Sequence, residues 1–250
     1  IMEIRDNLTP KAAAAACRCL EIRKNGEKHE IDTWILQEHH MEVFVNGQFW
    51  TLFSCTPEYL TEAILGHLKT EGLIHSLEDV ESMEWRENGQ KAMVRISVPL
   101  PSGFPDQHTK TPYPLTPIDW KPEWIFSLAD RIAKGMPLHE KTWGAHSCFL
   151  AQGEQLLFSC EDIGRHNAID KAVGYALRNG LSLEKCILYT SGRMPFDMTM
   201  KIIMAGIPVV AAKAIPMVDS VELAKKYRLT MICAARPDRM RVYTDFYHQP

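Results

Sequence analysis

The chain has 250 residues, 46% hydrophobic and 24% charged, with a formal net charge of −3 at pH 7. That length accommodates one large domain or two ordinary ones with real cores, and the slightly acidic balance argues against a generic nucleic-acid binder, whose footprint is strongly basic. No apolar run reaches membrane-spanning length, and the opening IMEIRDNLTPKAAAAACRCL lacks the pattern of a secretory leader, so no membrane partner and a cytoplasmic address are expected.

In chain order, the first hundred residues carry three Asn-Gly pairs, at 25–26, 46–47 and 88–89, each flanked by strand-like residues. Both residues tolerate the positive φ of a tight turn, so each pair predicts a hairpin. Between the second and third lies TPEYLTEAILGHLKTEG, read as a helix with Thr56 as N-cap, Pro57 in the first position and Gly72 at the stop. This half reads as antiparallel strands with one packed helix. The span Pro99 to Pro122 then holds seven of the fifteen prolines and predicts a linker or surface loop.

Helical spacing returns at IFSLADRIAKG, from Ile125. HSCFLAQGEQLLFSC reads as a hairpin and Gly164 to Asn179 as a helix. CILYTS, IPVVAA and LTMICAA follow as strands separated by the helices PFDMTMKIIMAG and VDSVELAKKYR. That alternation predicts a parallel sheet, with the hairpin along one edge. The expected class is α/β (α+β overall): a smaller hairpin-rich N-terminal α+β domain over 1–98, a proline-rich linker over 99–122, and a C-terminal α/β domain over 123–250.

Ligands of open α/β sheets bind beyond the carboxyl ends of the strands, near helix N-termini. Here each such loop carries a cation: Arg165 within EDIGRHN, Arg193 after Gly192, Lys213, and Arg236 with Arg239 and Arg241. Guanidinium groups and helix N-termini suit phosphate, so a phosphate-bearing ligand is predicted, with Gly164 and Gly192 letting backbone approach it. Asp162 is read as the N-cap of the following helix, Glu161 as solvated, His166 as equally suited to a structural role or to ligand contact, and Asp170 and Lys171 as exposed. His39-His40 and His139 are read as surface histidines. No G-x-G-x-x-G, Walker or zinc-deaminase motif is present, and no structural metal is expected.

Seven cysteines, at 17, 19, 55, 148, 160, 186 and 233, form no Cys-x-x-Cys. They read as free, mostly buried thiols of a reducing compartment, above all Cys55, Cys186 and Cys233. Cys17 and Cys19 form a C-x-C whose side chains would share one face of a strand.

EDIGRHNAIDKAVG closely resembles the EDxGRHNAxDK signature of the FdhD family (FdhD/NarQ-like), the formate dehydrogenase accessory sulfurtransferases. TEGLI (70–74), TWGAH (142–146), TSGR (190–193) and ARPDRMRVYT (235–244) resemble further family stretches in the right order. The resemblance implies a sulfur carrier that takes sulfur from a cysteine desulfurase and passes it to the bis-molybdopterin guanine dinucleotide molybdenum cofactor, bound as cargo, before insertion into formate dehydrogenase apoenzyme. It also implies a homodimer and a cytidine-deaminase-like, three-layer C-terminal domain without the deaminase zinc. Carried over by position, Ala234, Ala235, Arg236, Pro237, Asp238 and Arg239 match the family's cofactor-contacting segment. Ser191, Gly192, Arg193, Arg165, His166, Asn167 and Lys213 complete the expected binding set.

One departure stands out. Family members that carry persulfide have a Cys-x-x-Cys shortly after the strand resembling KAMVRISV, where this chain reads PLPSGFPDQHT. Cys160, beside an arginine and a helix N-terminus that would lower its pKa, and Cys148 are the surrogate candidates. A non-catalytic cofactor chaperone that has lost sulfur transfer is the alternative. A nucleotide hydrolase on the deaminase-like scaffold is a third reading, with no metal-ligand set to support it.

Overall fold

The computed structural model describes residues 3–5, 8–9, 11–105 and 111–248. In the first half the strands are β1 (Glu3–Arg5), β2 (Ala14–Ile22), β3 (Lys28–Leu36), β4 (His39–Val45), β5 (Gln48–Cys55), β6 (Val80–Arg86) and β7 (Lys91–Ile96), with helix α1 (Leu60–Thr70) between β5 and β6. All three Asn-Gly pairs sit at hairpin turns, and Asn46 and Gly47 both take positive φ, 50° and 80°. The main sheet has the order β1-β6-β7-β4-β5. It is less uniform than the hairpins suggest, because β4 pairs parallel to β7 and β1 parallel to β6. The β2–β3 hairpin joins neither larger sheet and forms a two-stranded ribbon of its own.

The second half begins with α2 (Pro122–Ala133) and a short α3 (Pro137–Thr142). It continues through β8 (His146–Gln152), β9 (Gln155–Asp162), α4 (Arg165–Arg178), β10 (Ile187–Thr190), α5 (Phe196–Ala205), β11 (Val209–Ala212), α6 (Val218–Tyr227), β12 (Thr230–Arg236) and β13 (Arg239–Thr244). Its sheet has the order β13-β12-β11-β10-β8-β9, with β10, β11 and β12 parallel and the β8–β9 hairpin along one edge, as expected. Every residue of β10 and β11 is buried, which fits their unbroken apolar text. Apolar side chains of α4, α5 and α6 cover one face, while α2 covers the other through Ile125, Leu128 and Ile132. The fold is a mixed α/β structure with helices on both faces of its larger sheet. Among the described residues no helix is long and apolar enough to cross a membrane.

The proline-rich segment is irregular in its described parts, yet it is not loose there. Leu115 is buried in the second core and its amide donates to Tyr227 O at 2.8 Å, and Trp120 is buried. Residues 106–110 of that segment lie outside the described residues.

The two halves meet where α1 crosses α4. A Cβ on Gly66 would collide with the carbonyl oxygen of Asp170, and one on Gly174 with that of Glu62, so glycine sets the close approach on both helices. The capping expected for α1 is corrected here. Its N-cap is Tyr59, and Thr56 is instead fully buried and bonded to the other half.

Candidate functional site

Three of the sequence-based readings of EDIGRHNAIDK are overturned. Asp162 does not cap α4, whose N-cap is Gly164. It is fully buried, with Oδ2 accepting from the Thr56 amide (3.0 Å) and hydroxyl (2.9 Å) and lying 2.6 Å from Lys171 Nζ. Its Oδ1 accepts from Gly164 N and Asn167 Nδ2, both at 2.8 Å. Glu161 is not solvated: its two oxygens accept from the amides of Leu138 and His139, each at 2.7 Å, and so cap α3. Asp170 and Lys171 do not face solvent but lie buried, Asp170 against α1 and Lys171 against Thr56 and Asp162.

Asp170 accepts from Lys201 Nζ (2.9 and 3.0 Å) and Thr70 Oγ1 (2.7 Å), and pairs with His67 Nδ1 at 2.9 Å. Burial alone would push this carboxyl up, but Lys201 and then His67 and Thr70 hold it down at about 2. Lys171 donates to Thr56 O (3.1 Å) and Oγ1 (2.7 Å). Asn167 is also structural, donating to Ser54 O at 2.6 Å. The motif is therefore largely an inter-half latch. Buried charges of this kind persist only when paired and hydrogen-bonded.

The other predicted residues lie at the carboxyl rim of the second sheet, which backbone hydrogen bonds stitch together. Ser191 N donates to Ser147 O (2.9 Å), Lys213 N to Thr190 O (2.9 Å) and Ala234 N to Ala214 O (2.8 Å). Ser147 N also donates to Ser191 Oγ at 2.9 Å. The turns after β10, β11 and β12 and the start of β8 thus form one edge. A pocket of about 330 Å³ opens there, lined by Ser191, Lys213 and Arg236 together with His139, Trp143 and His146.

Arg165 stands beside this pocket, not in its lining. Its Cβ and Cδ would lie 3.1 Å from a Cβ on Gly192, so that glycine makes room for the arginine side chain; it was expected to admit a ligand. Arg165 Nε is shielded from solvent and has no hydrogen-bond partner among the described residues. His146, half-buried, has its pKa lowered by burial first and then by the Arg165 and His139 charges, which favours a neutral imidazole. Arg193 is exposed beyond Gly192. Among the described residues no carboxylate lies within 4.0 Å of Arg165, Arg193, Lys213 or Arg236.

The remaining candidates divide. His166 bonds the side chain of Asp197, Nε2 to Oδ2 at 2.6 Å, where its structural reading expected a neighbouring backbone group. Ala234 takes a positive φ of 49°, and Ala235 is buried with its carbonyl accepting from Tyr189 Oη at 2.9 Å. Pro237 and Asp238 form the exposed turn between β12 and β13, where Asp238 pairs with Arg239 at 3.2 Å. Cys148 and Cys160 are corrected as reactive thiols. Both are buried, and desolvation pushes Cys148 well above its ordinary value and Cys160 up to about 12, outweighing the Lys171 charge beside Cys160.

His139 lines the pocket instead of being a stray surface residue, and His39 is buried with Nε2 2.7 Å from Gly89 O. The wall containing His139 is the six-residue α3, too short to show helical periodicity. Pro137 at its start was the available signal.

Comparison with known proteins agrees along most of the chain. Residues 36–111 and 102–248 match the model of the FdhD/NarQ family. The sulfur carrier protein FdhD of Shouchella clausii is 30% identical over 88% of this chain and 91% of its own, and that of Bacillus subtilis is 27% identical over 88% and 92%. The crystal structure of a candidate formate dehydrogenase accessory protein from Desulfotalea psychrophila superposes with a TM-score of 0.78 at 26% identity, covering 94% of this chain and 99% of that one.

Proposed function

Because the chain belongs to the FdhD/NarQ family, we propose that it is a sulfur carrier and formate dehydrogenase accessory protein that holds the bis-molybdopterin guanine dinucleotide cofactor at the rim of its second sheet. The observation that carries this reading is the set of cations with no carboxylate within 4.0 Å among the described residues: Lys213 and Arg236 in the lining of one pocket, with Arg165 and Arg193 beside it. Such groups retain their full capacity for charge-assisted bonds to phosphate oxygens. Ser191 adds a hydroxyl, and Trp143, 83% exposed, offers a flat apolar wall to a base. The pocket seats one phosphorylated end of the cargo, and Arg165 and Arg193 meet what extends beyond it. Arg165 fits this role because its guanidinium retains a buried donor with no acceptor among the described residues.

In this reading a cysteine desulfurase supplies sulfur, formate dehydrogenase apoenzyme receives the loaded cofactor, and a second copy of the chain completes a homodimer. A chaperone that only holds and delivers cofactor remains the second reading, favoured by one observation: no cysteine lines the pocket. Titration calorimetry with guanosine diphosphate tests the site. Binding by the wild type that weakens in both Lys213→Ala and Arg236→Ala supports it, and equal affinity in all three proteins removes it.

A further inference from the structure

Five of the seven cysteines are sealed inside the two halves. Burial pushes Cys55, Cys160 and Cys233 up to about 12, Cys186 to about 11, and Cys148 well above its ordinary value. A thiol that accepts sulfur must ionise and must also meet its donor. Near neutral pH these five do neither.

Cys17 and Cys19 stand apart: Cys17 is half-buried and Cys19 exposed. Both lie in β2, opposite Thr33 and Ile31 of β3, so the two thiols share one face of the ribbon. No carboxylate shares that stretch of the face; its next cross-strand pair is Glu21 with His29. The ribbon is rooted beside the rim pocket. Lys141 Nζ lies 3.3 Å from the centre of the Trp34 ring, and a Cβ on Gly144, a pocket residue, would meet Leu36 Cδ1 at 2.9 Å. Leu36 pairs with Ala14. Counting about 3.3 Å per residue, Cys17 and Cys19 follow Ala14 by about 10 and about 17 Å along the strand.

We propose that Cys17 and Cys19 form the sulfur-accepting site of this chain, taking sulfane sulfur from a protein-bound cysteine persulfide. This rests on the sulfur-carrier reading above and names its acceptor. The thiolate of one cysteine attacks the outer sulfur of the donor persulfide. A new S–S bond forms on the ribbon, and the bond between the donor's two sulfurs breaks. The electron pair leaves on the donor thiolate, which takes up the proton the acceptor thiol gave away. Thiol and persulfide exchange identities, and neither oxidant nor reductant is consumed. The neighbouring thiol, about 6.6 Å away at the backbone, can receive the sulfur by the same exchange.

The test is to incubate the full chain with a cysteine desulfurase and free cysteine, then alkylate it and map added sulfur by peptide mass spectrometry. The expected result is one extra sulfur atom on the peptide holding Cys17 and Cys19. It should persist in Cys148→Ser and Cys160→Ser and vanish in the Cys17→Ser/Cys19→Ser double variant, whose positions contribute little to either core. Undiminished loading of the double variant, or sulfur mapped to another cysteine, overturns the assignment while leaving sulfur carriage standing. Loading from a small-molecule polysulfide but not from the desulfurase marks mere exposure and also overturns it. A wild type that takes up no sulfur from either source overturns sulfur carriage as well, while the nucleotide titration still reports independently on the pocket.

Discussion

The latch between the halves and the rim of the second sheet draw on the same short motif and treat its charges in opposite ways. In the latch Asp162, Asp170, Lys171 and Lys201 are buried and each charge meets an opposite one, with Thr56, Thr70 and His67 filling remaining positions. Five residues before Asp170, on the same helix, Arg165 has no carboxylate within 4.0 Å among the described residues. Desolvation explains the difference. A charge taken fully out of water survives only with partners in place, whereas one at a wet rim can wait for a ligand to supply them. Pairing at the latch is thus a matter of fold, and the cations at the rim without a carboxylate within 4.0 Å among the described residues are the ones on which the proposed cofactor site rests.

This contrast breaks most readily at Lys171. Replacing it by methionine strands the Asp162 carboxylate and should cost about 3–5 kcal/mol of stability in urea denaturation. A cost near that of an ordinary surface change would mean the pair is not buried as described. Gly174→Ala pushes a methyl into the Glu62 carbonyl, and overpacking of this kind costs about 1–3 kcal/mol. Unchanged stability there would show that α1 and α4 separate easily.

The Asp170 carboxyl sharpens the comparison through pH. Its folded pKa, about 2, lies below its ordinary value of 3.8. Its contribution is therefore complete above about pH 4 and lost as pH falls toward about 2, a change on the order of 2 kcal/mol. The stability gap between wild type and Asp170→Asn should narrow over that window, and a gap constant with pH would contradict the pairing. At the rim the pattern reverses. Arg236→Ala should weaken guanosine diphosphate binding about tenfold, or about 1.4 kcal/mol. Its melting temperature should barely move, because no folded partner is lost.

Local text carried much of this protein. The Asn-Gly turns, the apolar strands IPVVAA and LTMICAA and the helix from Arg165 all follow from short-range conformational preference, and each was legible. So were the cations of the rim, because a strand-helix alternation tells where loops must end. The strand β13 was not: Arg239–Thr244 alternates only weakly and is recognised by its pairing with β12. Glu161, Asp162, Asp170 and Lys171 were misread for a related reason. Nothing local distinguishes a charged residue on an open helix face from one against which a second helix packs. Their partners, at residues 56, 67, 70, 138 and 201, are brought in by chain segments far away or across the edge of the sheet.

Sequence alone was enough for most of the elements, their order and which loops carry positive charge, since these depend on neighbours a few residues apart; β13 and the short α3 escaped it. Only the tertiary structure decided which charges are buried and satisfied, which stand free, and which two of seven thiols meet solvent. Burial is a property of how distant segments pack, and desolvation, which sets the behaviour of every ionisable group here, comes into being with that packing.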